Sequence, residues 1–432
     1  MAVPSWTWLA GWSTLIRVEA DELRAAMVAG LVAGGRIRSP EVARAFEAVP
    51  RHLFLPDLPP DQAYHDEAVA TKWLDGVAVS SASQPSMMAI MLEQLQLRPG
   101  HRVLEIGAGT GYNAALMAEL VGPTGSVVAV DIDEDLVRGA AEHLAAAGWT
   151  DVVLATRDGA LGYPEAAPYD RIVLTVGSWD IQPAWWRQLA PGGRLLLPLS
   201  VRGSQLSVAL DLLRGPPPCL RGVSVRSCAF VRLRGSGAAP ESSRPLGADG
   251  LAVQTGDERE LDTAALLALL AAPGPERSCP VRLAAIDLWD GLGLWLAVHE
   301  PDVCRLLVSA AASERSPSLL PAGMDGGTVA LLGRRGLAVV VPRQRDGVEF
   351  DRRFPIAVRP YGPDGGELAE RLAGLLGDWA AAGRPSATEL RMRAYPADVA
   401  PPTGPGALVR KAHSQLVLDW PSGRGRRPAA GG

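Results

Sequence analysis

The stretch VLEIGAGTGY, residues 103–112, joins a short apolar strand directly to three glycines at alternate positions. Gly107, Gly109 and Gly111 let the backbone turn sharply and come closer to a ligand than a Cβ atom would allow. A helix is predicted from about Tyr112. In open α/β sheets, ligands bind in the crevice at the carboxyl ends of the strands. The stretch therefore predicts a ligand-binding turn between a strand and a helix of an α/β domain.

Apolar runs and helical patterns alternate around this turn, from residue 102 to about residue 199. The strand-like runs are RVLEI, SVVAVD, DVVLAT, RIVLTV and RLLLPL, and helical periodicity is found in NAALMAELV and DLVRGAAEHLAAAG. Nearly all-apolar strands separated by helices are typical of a parallel sheet that is covered on both faces. The fold class is therefore α/β, with a doubly wound, Rossmann-like domain that we place at residues 49–233.

Two amphipathic helices are predicted before this domain. Their sequences are ADELRAAMVAGLVAGG and SPEVARAFEAVP, and Ser39 followed by Pro40 is typical of a helix N-cap and first helical position. We expect residues 1–48 to form an N-terminal helical cap.

The alternation stops after the doubly wound domain, and a second region follows. Residues 234–250 are rich in Gly, Pro and Ser and are predicted to be a linker. Beyond them, GTVALLGRRGLAVVVP predicts a hairpin, ELAERLAGLLGDWAA an amphipathic helix and SQLVLDW a last strand. We expect a C-terminal α+β domain at residues 251–420 and a disordered tail at residues 421–432.

Composition excludes several classes of function. The net charge is -5 with both signs interspersed, so the chain lacks the basic excess that nucleic-acid binding needs. The four cysteines form no CxxC pair, which argues against a metal site. We see no signal peptide and no apolar run long enough for a bilayer, and therefore expect a cytoplasmic protein without a membrane partner. The sequence leaves the oligomeric state open.

The polar residues at the strand ends indicate which ligand the turn binds. The glycine run departs from the GxGxxG dinucleotide fingerprint, and Glu105 would repel a pyrophosphate but attract an ammonium or sulfonium group. We therefore favour S-adenosylmethionine (SAM) over NAD. Asp131 ends the next strand, where a carboxylate can accept hydrogen bonds from ribose hydroxyls, and Asp158 follows the third strand and is predicted to meet the adenine edge.

At this point the sequence resembles the protein-L-isoaspartate O-methyltransferases, over about residues 20–210. The resemblance rests on VPRHLFLP, AYHDEAV, SASQPSMMAIMLEQLQLRPGHRVLEIGAGTGYNAALMAELVG, VVAVDID, RDG, YDRIVLTVG and LAPGGRLLLPL. It implies a SAM-dependent methyltransferase that acts on a peptide or protein containing an aspartyl or isoaspartyl residue. It also implies a catalytic role for Ser83, substrate-binding roles for Ser81, Asp66 and Gln84, and a cofactor-binding role for Gly159 beside Asp158.

The chemistry of the reaction agrees with a serine at this position. A carboxylate with an ordinary pKa of about 4 is already ionised at neutral pH, so its methylation needs positioning and dehydration but no general base. The hydroxyl of Ser83 can hold the attacking oxygen without adding a charge. The alternative is that Ser80–Ser83 only cap the following helix, which Pro85 begins.

Some features depart from the family pattern. Ala68 stands where repair enzymes usually have proline, TKWLDGVAVSSAS replaces a shorter approach to the serine, and the C-terminal region is additional. These features resemble family variants found with ribosomally made, modified peptides, in which an aspartate is methylated and its ester closes to aspartimide. The C-terminal domain would then recognise the peptide. The alternatives are general isoaspartyl repair and a non-catalytic SAM-binding interaction protein.

Overall fold

The computed structural model describes residues 7–239, 243–247, 250–256, 259–315, 326–343, 353–404 and 406–421. The chain divides into two compact units. The first contains the chain up to Leu199 together with Ser207–Ser224 and Cys228–Ala238. The second contains Ser200–Leu206, Val225–Ser227 and the chain from Ala239 onward. Residues 422–432, most of the predicted tail, lie outside the described residues.

The first unit follows the predicted alternation of helices and strands. Its helices are α1 (Thr7–Ala33), α2 (Pro40–Ala48), α3 (Pro60–Ala63), α4 (Pro85–Leu95), α5 (Tyr112–Val121), α6 (Glu134–Ala147) and α7 (Pro183–Gln188). The strands that begin in this part of the chain are β1 (Val69–Leu74), β2 (Val77–Ala82), β3 (Arg102–Ile106), β4 (Ser126–Asp131), β5 (Val153–Thr156), β6 (Tyr169–Leu174), β7 (Leu189–Val201), β8 (Ser204–Leu213) and β9 (Cys219–Ser227).

The main sheet of this unit has the strand order β9-β8-β7-β6-β3-β4-β5. Strand β3 pairs in parallel with β4 on one side and with β6 on the other, and β4–β5 and β6–β7 are also parallel. The apolar strands are buried as expected, and from Val103 to Ile106 every residue of β3 is shielded from water. The predicted doubly wound α/β fold is confirmed, and the carboxyl ends of β3, β4 and β6 lie side by side.

The N-terminal helices pack on this sheet within the same unit. Val42, Ala45 and Phe46 of α2 belong to the apolar core that also contains residues of α4, α5 and β3. Pro40 is at the start of α2 as predicted, but the hydroxyl of Ser39 donates to Oε1 of Glu93 (2.9 Å) and does not cap the helix. Met27, Val28 and Leu31 of α1 belong to the same core, so both described N-terminal helices are part of the unit that contains the sheet.

The second unit is rich in antiparallel strands. Its helices are α8 (Thr263–Leu270), α9 (Leu292–His299), α10 (Ala310–Arg315) and α11 (Gly365–Ala381). Its strands are β10 (Ser243–Pro245), β11 (Leu251–Thr255), β12 (Arg277–Leu283), β13 (Val303–Val308), β14 (Gly326–Leu332), β15 (Leu337–Pro342), β16 (Phe354–Tyr361), β17 (Arg391–Pro396), β18 (Ala407–Arg410) and β19 (Ser414–Asp419). One sheet has the order β10-β11-β13-β14-β15-β16-β12, and β19 pairs with both β17 and β18.

Three predicted elements of the second unit are present. The predicted hairpin is β14–β15, the predicted helix is α11 and the predicted last strand is β19. Four members of the predicted apolar stripe of α11 are buried: Leu368, Leu372, Leu376 and Trp379. The amphipathic pattern therefore indicated the correct face of the helix.

Two short elements lie among the described residues of the predicted linker at 234–250. Gly235–Gly237 form a short 3-10 turn within the first unit, and Ser243–Pro245 form the edge strand β10, which pairs with β11. Proline is compatible with an edge strand because one side of such a strand needs no backbone donor. The described part of this Gly- and Pro-rich segment therefore contains a turn and an edge strand.

No helix among the described residues is long and apolar enough to cross a membrane.

Candidate active site

A cleft lies at the carboxyl ends of β3, β4 and β6 in the first unit. The cleft is lined by the glycine turn after β3, by Val130–Ile132 at the end of β4, by Thr175 and Val176 after β6 and by Val231–Arg234. Residues Val79–Ser83 form a further part of its wall.

The glycine turn requires glycine for steric reasons. Gly107 has φ +101°, and a Cβ atom there would lie 2.9 Å from both Thr175 Oγ1 and Val176 Cγ1. Gly109 is also in the left-handed region and lines the cleft. Gly111 is the N-cap of α5, and it packs against Ala140 and Leu144 away from the cleft wall. Of the three predicted glycines, Gly107 and Gly109 therefore line the cleft, and Gly111 permits close packing of α5 against α6.

Glu105 places an unmatched carboxylate oxygen at the cleft. The residue is fully buried, and its Oε1 accepts a hydrogen bond from Nδ2 of Asn113 (2.7 Å). Its Oε2 is buried and has no hydrogen-bond partner among the described residues. Burial raises the pKa of Glu105 to about 8. A buried acceptor without a partner is unfavourable, so this oxygen favours a ligand that brings a donor with positive charge.

Asp131 lies at the end of β4 and also lines the cleft. One of its oxygens accepts a hydrogen bond from the N–H of Gly109 (3.0 Å), which links the carboxylate to the glycine turn. Burial raises the pKa of Asp131 above its ordinary value. The register of the parallel strands thus brings Glu105 and Asp131 to one cleft, as the sequence predicted.

A group of charged residues fixes the wall beside Asp131. Asp133 pairs with Arg234 and with Lys72, whose Nζ is 2.9 Å from Asp133 Oδ2. The hydrogen bond from Arg234 is the main cause that lowers the pKa of Asp133. This group ties the β1–β2 hairpin and the 231–234 segment to the chain that follows β4.

Asp158 and Gly159 have different positions. Gly159 lines the cleft, and its carbonyl accepts a hydrogen bond from the indole nitrogen of Trp185 (2.9 Å). The carboxylate of Asp158 accepts hydrogen bonds from the N–H groups of Ala160 (2.9 Å) and Ser236 (2.7 Å), and it is not part of the cleft wall. In the structure Asp158 therefore holds the backbone at Ala160 and Ser236, and its contact with the adenine edge stays a prediction.

The serines end the hairpin strand β2 and lead into α4. Ser81 and Ser83 line the cleft, and Ser83 Oγ has no hydrogen-bond partner among the described residues. Ser80 also lines the cleft, but its Oγ accepts a hydrogen bond from Thr71 (3.0 Å). The N-cap of α4 is Gln84, without a side-chain capping bond. The hydroxyl of Ser83 therefore does not cap α4, in contrast to the alternative interpretation of this segment.

Asp66 and Gln84 support the serine segment from behind. Oδ1 of Asp66 accepts a hydrogen bond from the N–H of Ser86 (2.7 Å), and Nε2 of Gln84 donates to the carbonyl of Asp66 (2.8 Å). Neither residue is part of the cleft wall, and their substrate contacts stay predictions. Their bonds hold the start of α4, because a first-turn N–H needs an acceptor from outside the helix.

Sequence reasoning missed several residues of the cleft. They are Arg51, Met88, Asn113, Thr175 and the segment Val231–Arg234. Arg51 could have been suspected because it lies in VPRHLFLP, one of the stretches that carry the family resemblance. No local pattern marks the 231–234 segment, which the fold brings back to the cleft from a distant part of the sequence.

The residues of the cleft fit SAM. The orphaned oxygen of Glu105 matches an ammonium group, the turn at Gly107 and Gly109 permits close backbone approach, and Asp131 can accept from ribose hydroxyls. When it is bound, SAM supplies a methyl group on a positively charged sulfur. A doubly wound sheet with this cleft defines the class of the protein: it is a SAM-dependent methyltransferase.

Comparison with known proteins identifies the family. The family model "Protein-L-isoaspartate(D-aspartate) O-methyltransferase (PCMT)" matches residues 22–235. The protein-L-isoaspartate O-methyltransferase of Ignicoccus hospitalis is 40% identical over 179 residues, which cover 41% of this chain and 82% of the relative. That of Methanopyrus kandleri is 43% identical over 183 residues, covering 42% and 79%. The chain belongs to the protein-L-isoaspartate O-methyltransferase family.

A solved structure of a protein from this family also aligns with this chain. It is a protein-L-isoaspartate O-methyltransferase from Plasmodium falciparum in complex with S-adenosyl-L-homocysteine, with 20% identity and a TM-score of 0.41. The alignment covers 48% of this chain and 97% of that one. The cofactor of this enzyme is SAM, and its reaction is carboxyl O-methyl transfer of the isoaspartate type.

The raised pKa of Glu105 predicts pH-dependent binding of S-adenosylhomocysteine (SAH). Below about pH 8 the ligand-free carboxyl group is protonated, whereas a bound ammonium favours the ionised form. Binding should therefore release a proton, and the association constant should rise up to about tenfold per pH unit and level off above that pH. Calorimetry in two buffers of different protonation enthalpy measures both effects.

The variant Glu105→Gln should bind SAH more weakly and without this pH dependence. Glu119→Gln, a change at an exposed position on α5, is the matched control and should keep the wild-type profile. An unchanged slope in Glu105→Gln would show that another group releases the proton.

Proposed function

We propose that this enzyme methylates the side-chain carboxylate of an aspartyl or isoaspartyl residue in a peptide, with Ser83 as the residue that holds the attacking oxygen. The observation that supports this role is the hydroxyl of Ser83, which has no partner among the described residues and lines the same cleft as Glu105 and Asp131. Ser81 lies beside it on the cleft wall and is the second candidate for contact with the carboxylate.

The chemistry requires positioning and not proton removal. The substrate carboxylate is ionised at neutral pH, and one of its oxygens forms the new bond to the methyl group while the bond from that methyl to sulfur breaks. Correct alignment of two reactants can supply on the order of 7 to 11 kcal/mol of the barrier. A neutral hydroxyl suits this task because it orients the oxygen without pairing a full charge with the nucleophile.

The substrate peptide needs a surface next to the cleft, and the β1–β2 hairpin provides one. Strand β2 runs into the cleft wall, and the opposite end of the hairpin exposes three large apolar side chains: Trp73 (62%), Leu74 (55%) and Val77 (64%). Asp75 and Gly76 both have positive φ, as a tight two-residue hairpin turn requires. We propose that apolar side chains flanking the methylated residue dock on this hairpin tip.

The hairpin is held in place before any peptide arrives. It forms a two-stranded sheet of its own, an arrangement that is marginally stable in isolation. Lys72 anchors it through ion pairs to Asp133 (2.9 Å) and Asp135 (2.6 Å). A fixed hairpin tip would lose little conformational entropy on binding, which supports a role in peptide selection.

For the substrate itself, we propose a ribosomally made precursor peptide. Three features support this choice: the hairpin that replaces a shorter approach to the serine, Ala68 in the upstream motif, and a second unit that would recognise the peptide. After methylation, the backbone nitrogen of the next residue would attack the ester carbonyl, lose its proton and expel methanol, which leaves an aspartimide. None of the four cysteines forms a disulfide, which is consistent with action in the cytoplasm.

General isoaspartyl repair is the second candidate, and the names of the relatives favour it. The two functions are separated by intact-mass analysis of an isoaspartyl peptide and its normal aspartyl twin after incubation with SAM. We expect neither generic peptide to gain a methyl group efficiently, and a precursor peptide to gain one on a normal aspartate. A methyl group on the generic isoaspartyl peptide alone would establish repair instead.

The variant Ser83→Ala should lose methyl transfer by roughly 100-fold or more, as expected when a hydrogen-bond donor at a reacting oxygen is removed. Its affinity for SAH should not change, because the hydroxyl is assigned to the substrate. Ser80→Ala is the matched control, since that hydroxyl already bonds to Thr71, and it should keep most of the activity. Wild-type rates in Ser83→Ala would rule out the proposed mechanism.

The hairpin tip can be tested by the double variant Trp73→Ser/Val77→Ser. Loss of buried apolar contacts worth about 1.5 to 3 kcal/mol each should raise KM for a peptide with apolar flanks at least tenfold. The turnover number and the SAH affinity should stay near the wild-type values. Val153→Ser, at another exposed apolar position (47%), is the control. An equal KM for wild type and double variant would show that the hairpin tip does not bind the peptide.

A further inference from the structure

Arg51 is a buried cation that the reaction described above does not use. It begins the 3-10 turn Arg51–Phe54 after α2, is only 1% exposed and lines the active-site cleft. Its Nε donates a hydrogen bond to the carbonyl of Ala63 (2.8 Å), and its guanidinium lies over the ring of Tyr112. Both terminal nitrogens are buried and have no hydrogen-bond partner among the described residues.

A guanidinium in this state is an incomplete site. Arginine cannot escape burial by losing its proton in proteins, so its unpaired donors remain unfavourable until an anion pairs with them. The planar guanidinium matches a carboxylate, to which it can donate two parallel hydrogen bonds. The missing partner should therefore be a carboxylate that enters the cleft.

Glu105 is the complementary group, because it presents a hydrogen-bond acceptor to the same cleft. Its Oε2 is also buried without a partner and lines the same cleft. The two residues are supported by neighbours in sequence, because Tyr112 lies under Arg51 and Asn113 bonds to Glu105. A guanidinium and a carboxyl group, each with unmatched polar atoms, thus meet the ligand space near the first turn of α5. A ligand with both an ammonium and a carboxylate group would satisfy both.

We propose that Arg51 binds the α-carboxylate of the cofactor, while Glu105 receives its ammonium group. Asp131, at the end of β4, is the predicted ribose contact, which leaves the first turn of α5, beside Arg51 and Glu105, for the amino-acid end of the cofactor. The N-terminus of α5 also favours negative charge there. This inference depends on the cofactor site alone and not on the identity of the peptide.

The substrate carboxylate is a poorer partner for Arg51. A peptide approaches from solvent, whereas Arg51 is fully enclosed and Ser83 is only partly buried. A full positive charge paired with the attacking carboxylate would also withdraw the electron density that forms the new bond. Ser83 is therefore assigned to the substrate carboxylate and Arg51 to the carboxylate of the cofactor.

The test compares two ligands by calorimetry in wild type and Arg51→Met. SAH contains the amino-acid group, and 5′-methylthioadenosine lacks it. Arg51→Met should weaken SAH binding roughly 10- to 100-fold, the range expected for a charged hydrogen-bonded pair. Binding of 5′-methylthioadenosine should change less than about twofold, because that ligand makes no contact with the carboxylate site.

Other outcomes would overturn the assignment. Equal losses for both ligands would show that Arg51 only maintains the shape of the cleft. Unchanged SAH affinity with a raised KM for the peptide would assign Arg51 to the substrate. If Arg51→Met does not fold, Arg51→Lys keeps a charge but loses the planar guanidinium, and the same selective loss for SAH is expected.

Arg171→Met is the matched control. Arg171 is a partly buried arginine of the same unit, and it donates hydrogen bonds to the carbonyls of Leu95, Gln96 and Asp170 away from the cleft. This variant should keep the wild-type ratio of the two affinities, whatever its effect on stability. A changed ratio in Arg171→Met would show that the ratio does not report contact with the carboxylate.

Discussion

A carboxylate that water cannot reach lies at the centre of the main sheet, and the architecture of the active site depends on it. Glu105 is on β3, which has parallel partners on both sides, and its side chain is fully enclosed. Burial raises its pKa to about 8, and the only hydrogen bond it accepts within the described chain comes from Asn113. Such a group is unfavourable until a cationic partner binds, so the cleft favours a ligand with a positively charged group at this position.

The cleft separates charged from neutral recognition. The charged side chains Glu105, Asp131 and Arg51 lie at its buried wall, where electrostatic interactions are strong because little water screens them. The neutral hydroxyls of Ser81 and Ser83 lie at the end of the hairpin. We interpret this arrangement as one in which charges hold the cofactor and hydroxyls orient the carboxylate that is methylated. The ion pairs of Lys72 and Arg234 with Asp133 hold the β1–β2 hairpin and the 231–234 segment beside the end of β4.

Much of the fold was predictable because its strands are short, apolar and parallel. The predicted runs RVLEI and SVVAVD coincide with β3 and β4. The site was predicted less completely. Asp158 and Asp66 are predicted to contact ligands, and in the structure their carboxylates accept hydrogen bonds from the N–H groups of Ser236 and Ser86, outside the cleft wall. Nothing in a linear sequence distinguishes an acid that awaits a ligand from an acid that caps a backbone N–H, because the donor can come from a distant segment.

The sequence by itself determined the doubly wound sheet, the glycine turn and the placement of Glu105 and Asp131, because each follows from local periodicity and from the polarity of a strand end. Only the tertiary structure decided which polar atoms remain without partners. Arg51 lies between α2 and α3, more than fifty residues before Glu105, and both residues have polar atoms without partners in one cleft only when the helical cap packs on α5. Hydrogen-bond satisfaction is a property of the packed chain, since it depends on every segment that the fold brings near an atom.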